Sequence, residues 1–131
     1  MTVTRTNPAG LHPPTGYSHV VVGNGTFVHV SGQVAVDEAG AVVGHGDLGA
    51  QTRQVFRNLE SALASAGATF ADVVKLTTFI VDYRPEMLPA YRAERSRFIG
   101  DHLPASTLVG VQALALSDYL IEIEATAILE G

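Results

Sequence analysis

Pro104-Ala105-Ser106-Thr107-Leu108-Val109 and, after a short polar break, Ile121-Glu122-Ile123-Glu124-Ala125 are the two segments whose reading decides the fold. Both carry the apolar residues of strands, and they predict closing strands at Ser106–Gln112 and Leu120–Leu129. Side chains alternate between faces along a strand, so Glu122 and Glu124 point the same way, roughly 7 Å apart, and Ile121 and Ile123 point the other way. The last strand therefore has one core face and one face with two carboxylates. Placed under a second surface, such a pair is a source of general acid–base chemistry, with Glu122 the candidate. On spacing alone, a solvated strand edge with ordinary acids is the simpler reading.

Upstream of these strands, Val73–Val81 is β-branched and reads as a buried strand, flanked by two helices. The first is predicted from about Leu48 to Ala66, with Asp47 as N-cap and Gly67 at the left-handed position after its end. Leu48, Val55, Leu59, Ala62, Leu63 and Ala66 form its apolar stripe, and Arg53, Arg57 and Glu60 face elsewhere. Pro85 opens the second helix and Gly100 ends it, with Met87, Tyr91, Glu94 or Arg95, and Phe98 along one side. Near the N-terminus, Val20-Val21-Val22 and Thr26–Ser31 flank Gly23-Asn24-Gly25, the signature of a tight hairpin. Residues 1–16 read as an irregular lead-in with a short strand at Val3–Thr6, and Ala41–Val43 reads as another short strand.

The order of elements is α+β, or ferredoxin-like, with two helices packed on one face of the sheet. Val28, Val30, Leu76, Ile80, Val109, Val111, Ile121 and Ile123 suit the helix-packed side. Phe27, His29, Ser31, Thr77, Phe79, Ser106, Leu108, Gln112, Glu122, Glu124 and Thr126 fall on the other. Phe79 and Leu108 are poor solvent residues, so that face is expected to be buried against another subunit.

The 131 residues are expected to form a single domain spanning 1–131. With 47% hydrophobic and 16% charged residues the chain is globular rather than disordered. A formal charge of −5, from 13 acids against 8 bases, argues against nucleic acid as a partner. An anionic ligand would need a local positive site. The absence of cysteine excludes disulfides and thiolate chemistry. His12, His19, His29, His45 and His102 lack close metal-ligand spacing; His19 and His29 could meet across the hairpin, but two ligands make a weak case, so no metal and no cofactor are expected. Met1 to Gly10 lacks an apolar run behind a basic region, and no stretch approaches membrane-spanning length, so a cytoplasmic location without membrane association is expected.

Several segments in register resemble the RidA/YjgF family of enamine and imine deaminases. They are Gly16-Tyr17-Ser18, Val30-Ser31-Gly32-Gln33, Asp47 through Val55, Asn58-Leu59, Ala66-Gly67-Ala68, Asp72 through Lys75, Pro104-Ala105-Ser106-Thr107 and Ile121 through Ala125. The resemblance runs from about Pro14 to Leu129. It implies a chorismate-mutase-like fold and a homotrimer whose sheets line a central barrel, with ligand clefts between subunits. It also implies hydrolysis of enamines and imines to ketoacids and ammonia. By this resemblance Glu122 positions the attacking water, Ser31 lines the pocket and stabilises developing charge, and Tyr17 shapes the pocket.

Four positions depart from the family pattern. Ser106 stands where an arginine usually clamps the substrate carboxylate, Leu88 where many members have asparagine, Leu108 in place of a frequent cysteine, and Gly16 in place of proline. A hydroxyl does not replace a guanidinium's two-pronged grip. The expected ligand is therefore a neutral or weakly anionic imine, enamine or related small molecule, with Tyr17, Ser106, Leu88 and Leu108 around it. Arg5, Arg53 and Arg97 are the arginines considered as substitutes from elsewhere in the chain. The alternative function is a non-catalytic metabolite-binding or regulatory trimer.

Overall fold

The computed structural model describes residues 3–130; of the predicted lead-in, Met1 and Thr2 lie outside the described residues. Six strands and two helices follow one another as β1 (Val3–Thr6), β2 (Val20–Gly23), β3 (Thr26–Gln33), α1 (Leu48–Ser65), β4 (Val73–Val81), α2 (Leu88–Ile99), β5 (Ala105–Val111) and β6 (Ile121–Leu129). The main sheet has the order β3-β6-β4-β5. It is mixed: β5 runs parallel to β4, and the other pairs are antiparallel. Both helices pack on one face, as expected for this α+β architecture.

Helix α1 begins where Asp47 accepts a hydrogen bond from the Ala50 amide, relieving one unpaired first-turn donor. Its buried residues are Gln51, Thr52, Val55, Phe56, Leu59 and Leu63, so the inner face is wider and more polar than the apolar stripe predicted. Ala66 lies outside that face. Phe56 stacks on Phe98 of α2 at 5.5 Å between ring centres, and Phe70 closes the cluster. Leu76, Ile80, Ile121 and Ile123 form the sheet's half of this core and are almost fully buried. Each such side chain contributes roughly 1.5–3 kcal/mol. No described helix is long and apolar enough to cross a membrane.

The predicted hairpin is not formed. β2 pairs with β1, as Val3↔Gly23 through Thr6↔Val20, and β3 pairs with β6. Gly23-Asn24-Gly25 makes a corner between two sheets. Glycine and asparagine fix where a chain turns, whereas the partner of the outgoing strand is set by the best available edge, here the long apolar β6. The strand expected at Ala41–Val43 reduces to one bridge, Val36↔Val42.

The faces of β5 are also reversed. Ser106 lies opposite Leu76, and Leu108 opposite Thr78, so both sit on the helix-covered side. Val109 pairs with Phe79 on the open side, where it is exposed. β5 is an edge strand whose apolar residues occur on both faces, so its composition does not reveal its phase.

Candidate functional site

The loop between β1 and β2 carries Tyr17 to the edge of β5. Ser18 fixes it there: its amide donates to the Pro104 carbonyl at 3.0 Å and its hydroxyl to the Leu103 carbonyl at 2.6 Å. The segment entering β5 is thereby tied to the loop, and Tyr17 is brought to Ser106. Tyr17, Leu88, Ser106 and Leu108 all line one pocket of about 360 Å³ between the loop, β5 and α2. These are the four residues expected around a ligand. The Tyr17 hydroxyl is also 3.0 Å from Nε2 of His12, and His19 contacts the same ring edge-on. His19 therefore joins His12 and Tyr17, not His29, which instead lies 3.1 Å from the Thr126 hydroxyl on the open sheet face.

The rest of the pocket wall was not foreseen. Thr15 and Tyr83 contribute, and Tyr91, Arg92 and Arg95 come from α2. Leu88, Tyr91, Arg92 and Arg95 follow the i, i+3, i+4, i+7 rhythm of one helix face, a signal present in the sequence. Two interactions hold that face in place. The Tyr91 hydroxyl bonds to the Thr78 hydroxyl at 2.7 Å, inside the core. Arg53 of α1 grips Glu94 through two bonds, of 2.9 and 3.0 Å.

None of the arginines considered as substitutes reaches this pocket wall. Arg5 donates to the Ala71 carbonyl, while Arg53 and Arg97 both lie against Glu94. The hydrogen bond from Arg53 holds the Glu94 carboxyl below its usual range; burial opposes the shift, and the charges of Arg53, Arg97 and Arg57 reinforce it. A carboxyl lowered by folding stabilises the fold above its unfolded value and loses that contribution as pH falls through the folded one. Urea midpoints measured from pH 7 to pH 3 should therefore fall less steeply in Glu94→Gln than in wild type. Parallel curves would show that the pair does not couple to folding.

Ser31 and Glu122 lie elsewhere. Glu122 pairs with Phe79, and Glu124 with Thr77, on the sheet face away from the helices. The Glu122 carboxylate packs against Gly32, where any side chain would collide with it. Ser31 precedes that glycine at an irregularity in the β3–β6 ladder and is exposed. Among the described residues, nothing donates a hydrogen bond to the Glu122 side chain. The expected site residues thus fall into two groups on opposite faces of one sheet.

Two other motif positions hold the scaffold. Gln51 donates to the carbonyls of Gly44 and Asp118 and accepts from the Leu120 amide, fixing the approach to β6. Asn58 donates to the carbonyls of Val34 and Val36, fixing the exit from β3.

The family described as Endoribonuclease L-PSP matches residues 8–129. A RutC family protein from Pyrococcus abyssi is 37% identical over 120 residues, covering 89% of this chain and 90% of its own. A 2-iminobutanoate/2-iminopropanoate deaminase from Dermatophagoides farinae is 30% identical over 124 residues, covering 94% of this chain and 93% of its own. The crystal structure of a Rid-family protein of unknown function from Yersinia pestis, YyfB, superposes with a TM-score of 0.93 at 47% identity, covering 98% of this chain and all of that one. The helix-covered mixed sheet, the matched segments and these likenesses together place the chain in the RidA/YjgF family.

Proposed function

We propose that the chain acts as a homotrimer whose inter-subunit clefts hydrolyse a small imine or enamine to a carbonyl compound and ammonia. The observation carrying this reading is the division of the site residues between two faces of one sheet. Tyr17, Ser106, Leu88 and Leu108 line a pocket on one side, and Ser31 and Glu122 lie on the other. A neighbouring copy laid on the open face would complete the cleft. That face offers exposed Phe27 and Val109 and half-buried Phe79, an apolar surface suited to a like partner.

In this reading Glu122 orients a water and accepts its proton as the oxygen bonds to the imine carbon. Glu122 returns that proton to the nitrogen, giving the neutral carbinolamine. It then relays the carbinolamine hydroxyl proton to the same nitrogen as the carbonyl forms, the C–N bond breaks and ammonia leaves. The Ser31 hydroxyl donates to the developing charge, and Tyr17 closes the pocket around the substrate. Glu122 suits the task because its carboxylate is not engaged by any described donor. RNA is not the substrate in this proposal, since a chain of net charge −5 has no global attraction for a polyanion.

The test combines light scattering at micromolar concentrations with ammonia release from freshly generated 2-iminopropanoate and from imines lacking a carboxylate. A trimer that releases ammonia faster than buffer is expected. A stable monomer would remove the shared cleft, and a trimer without turnover on any imine would leave the metabolite-binding reading.

A further inference from the structure

Arg95 is the most unusual residue in the pocket wall. It is 8% exposed, yet among the described residues no carboxylate or carbonyl accepts a hydrogen bond from it. Its guanidinium lies 5.2 Å from the centre of the Tyr91 ring. On the other side it packs against the backbone of Gly16, where any side chain would run into Nη2. Gly16 also has a φ of +77°, which proline cannot adopt. Beside Arg95, one turn earlier on the same helix face, Arg92 lines the same pocket. The wall therefore contains two guanidinium groups and no carboxylate, in a chain of net charge −5. A guanidinium whose one described partner is an aromatic face, and which opens on a cavity, has an anionic ligand as its natural counter-ion.

We propose that Arg95, with Arg92 beside it, is the carboxylate grip of this pocket and sets its specificity. The guanidinium comes from α2 and not from position 106 on β5. Gly16 leaves room for its terminal nitrogen, and the small Ser106 leaves the facing wall open to a ligand. The ligand class is a small monocarboxylate with a short apolar arm resting on Leu88 and Leu108. This narrows the expectation of a neutral or weakly anionic ligand to a carboxylate. It rests on the imine-hydrolase reading for the reacting group alone; the grip stands on its own geometry.

Calorimetric titration with butanoate and with butanamide, a non-reacting pair of nearly equal shape, tests it on the full chain. Wild type should bind butanoate and discriminate against butanamide by about tenfold or more. Arg95→Met should weaken butanoate on the order of 10²-fold and leave butanamide unchanged. Arg95→Lys, which keeps the charge and the stem and so protects the fold, should weaken butanoate by about tenfold, because the planar fork is lost. Equal binding of the two probes, no binding of butanoate, or butanoate binding indifferent to both substitutions overturns the proposal. Ammonia release measured on the same proteins separates the two readings. Turnover with Arg95-independent butanoate binding removes the grip and keeps the hydrolase, and Arg95-dependent binding without turnover does the reverse.

Discussion

Glu122→Gln is expected to lower imine hydrolysis by about 10²–10⁴-fold, the usual range for removing a positioned general base. The substitution preserves shape, and the contact with Gly32 needs only a planar group of that size. No described donor loses a partner, so the melting temperature and oligomeric state should stay at wild-type values. What disappears is the capacity to take a proton from water as the carbon–oxygen bond forms. The loss should therefore fall on kcat, with KM little changed, because the pocket on the other sheet face is untouched. Turnover equal to wild type would remove Glu122 from the mechanism while leaving the pocket assignment in place.

The second large effect concerns stability. Gln51→Leu keeps the volume of a fully buried side chain but removes its three hydrogen bonds. The Gly44 and Asp118 carbonyls and the Leu120 amide then lose their partner. At about 1 kcal/mol each the expected loss is about 3 kcal/mol. For a chain of this size that lowers the melting temperature by roughly 10 °C. Thermal or urea denaturation reads this directly, and a change below about 1 kcal/mol would mean that water replaces the side chain at no net penalty. The Leu120 amide immediately precedes β6, so the same substitution should loosen the strand that carries Glu122.

The sequence was clearest where one signal dominated. β6 alternates between apolar and polar or small residues from Ile121 to Ala127, β4 is a β-branched run, and their expected bounds differ from the observed ones by a residue at most. α1 has a cap, a stripe and a terminal glycine that agree with one another. β5 was recognisable as a strand but not in its phase, because an edge strand with apolar residues on both faces has no consistently polar face to mark the outside. The hairpin failed for a related reason: local turn chemistry says nothing about a distant, better partner for β3. Of the site, Tyr17, Leu88, Ser106 and Leu108 were placed together through the family resemblance, and the pocket gathers them. Helical spacing on a mixed helix does not tell a pocket wall from a core edge, so Arg95 is placed by the sequence only as an alternative to Glu94 on the Tyr91 side of the second helix, and Arg92 is not singled out. Only the tertiary placement of α2 against Gly16 and β5 turns them inward.

The separation of Ser31 and Glu122 from the Arg95 pocket has a genetic consequence. In the proposed assembly each cleft draws one half from each of two chains. An allele damaged at Glu122 still supplies an intact pocket, and an allele damaged at Arg95 still supplies an intact carboxylate. Co-expressed in equal amounts, two individually inactive alleles would rebuild about one cleft in four by random mixing. The fold would therefore be predisposed to interallelic complementation, and a heterozygote of two null alleles need not be null.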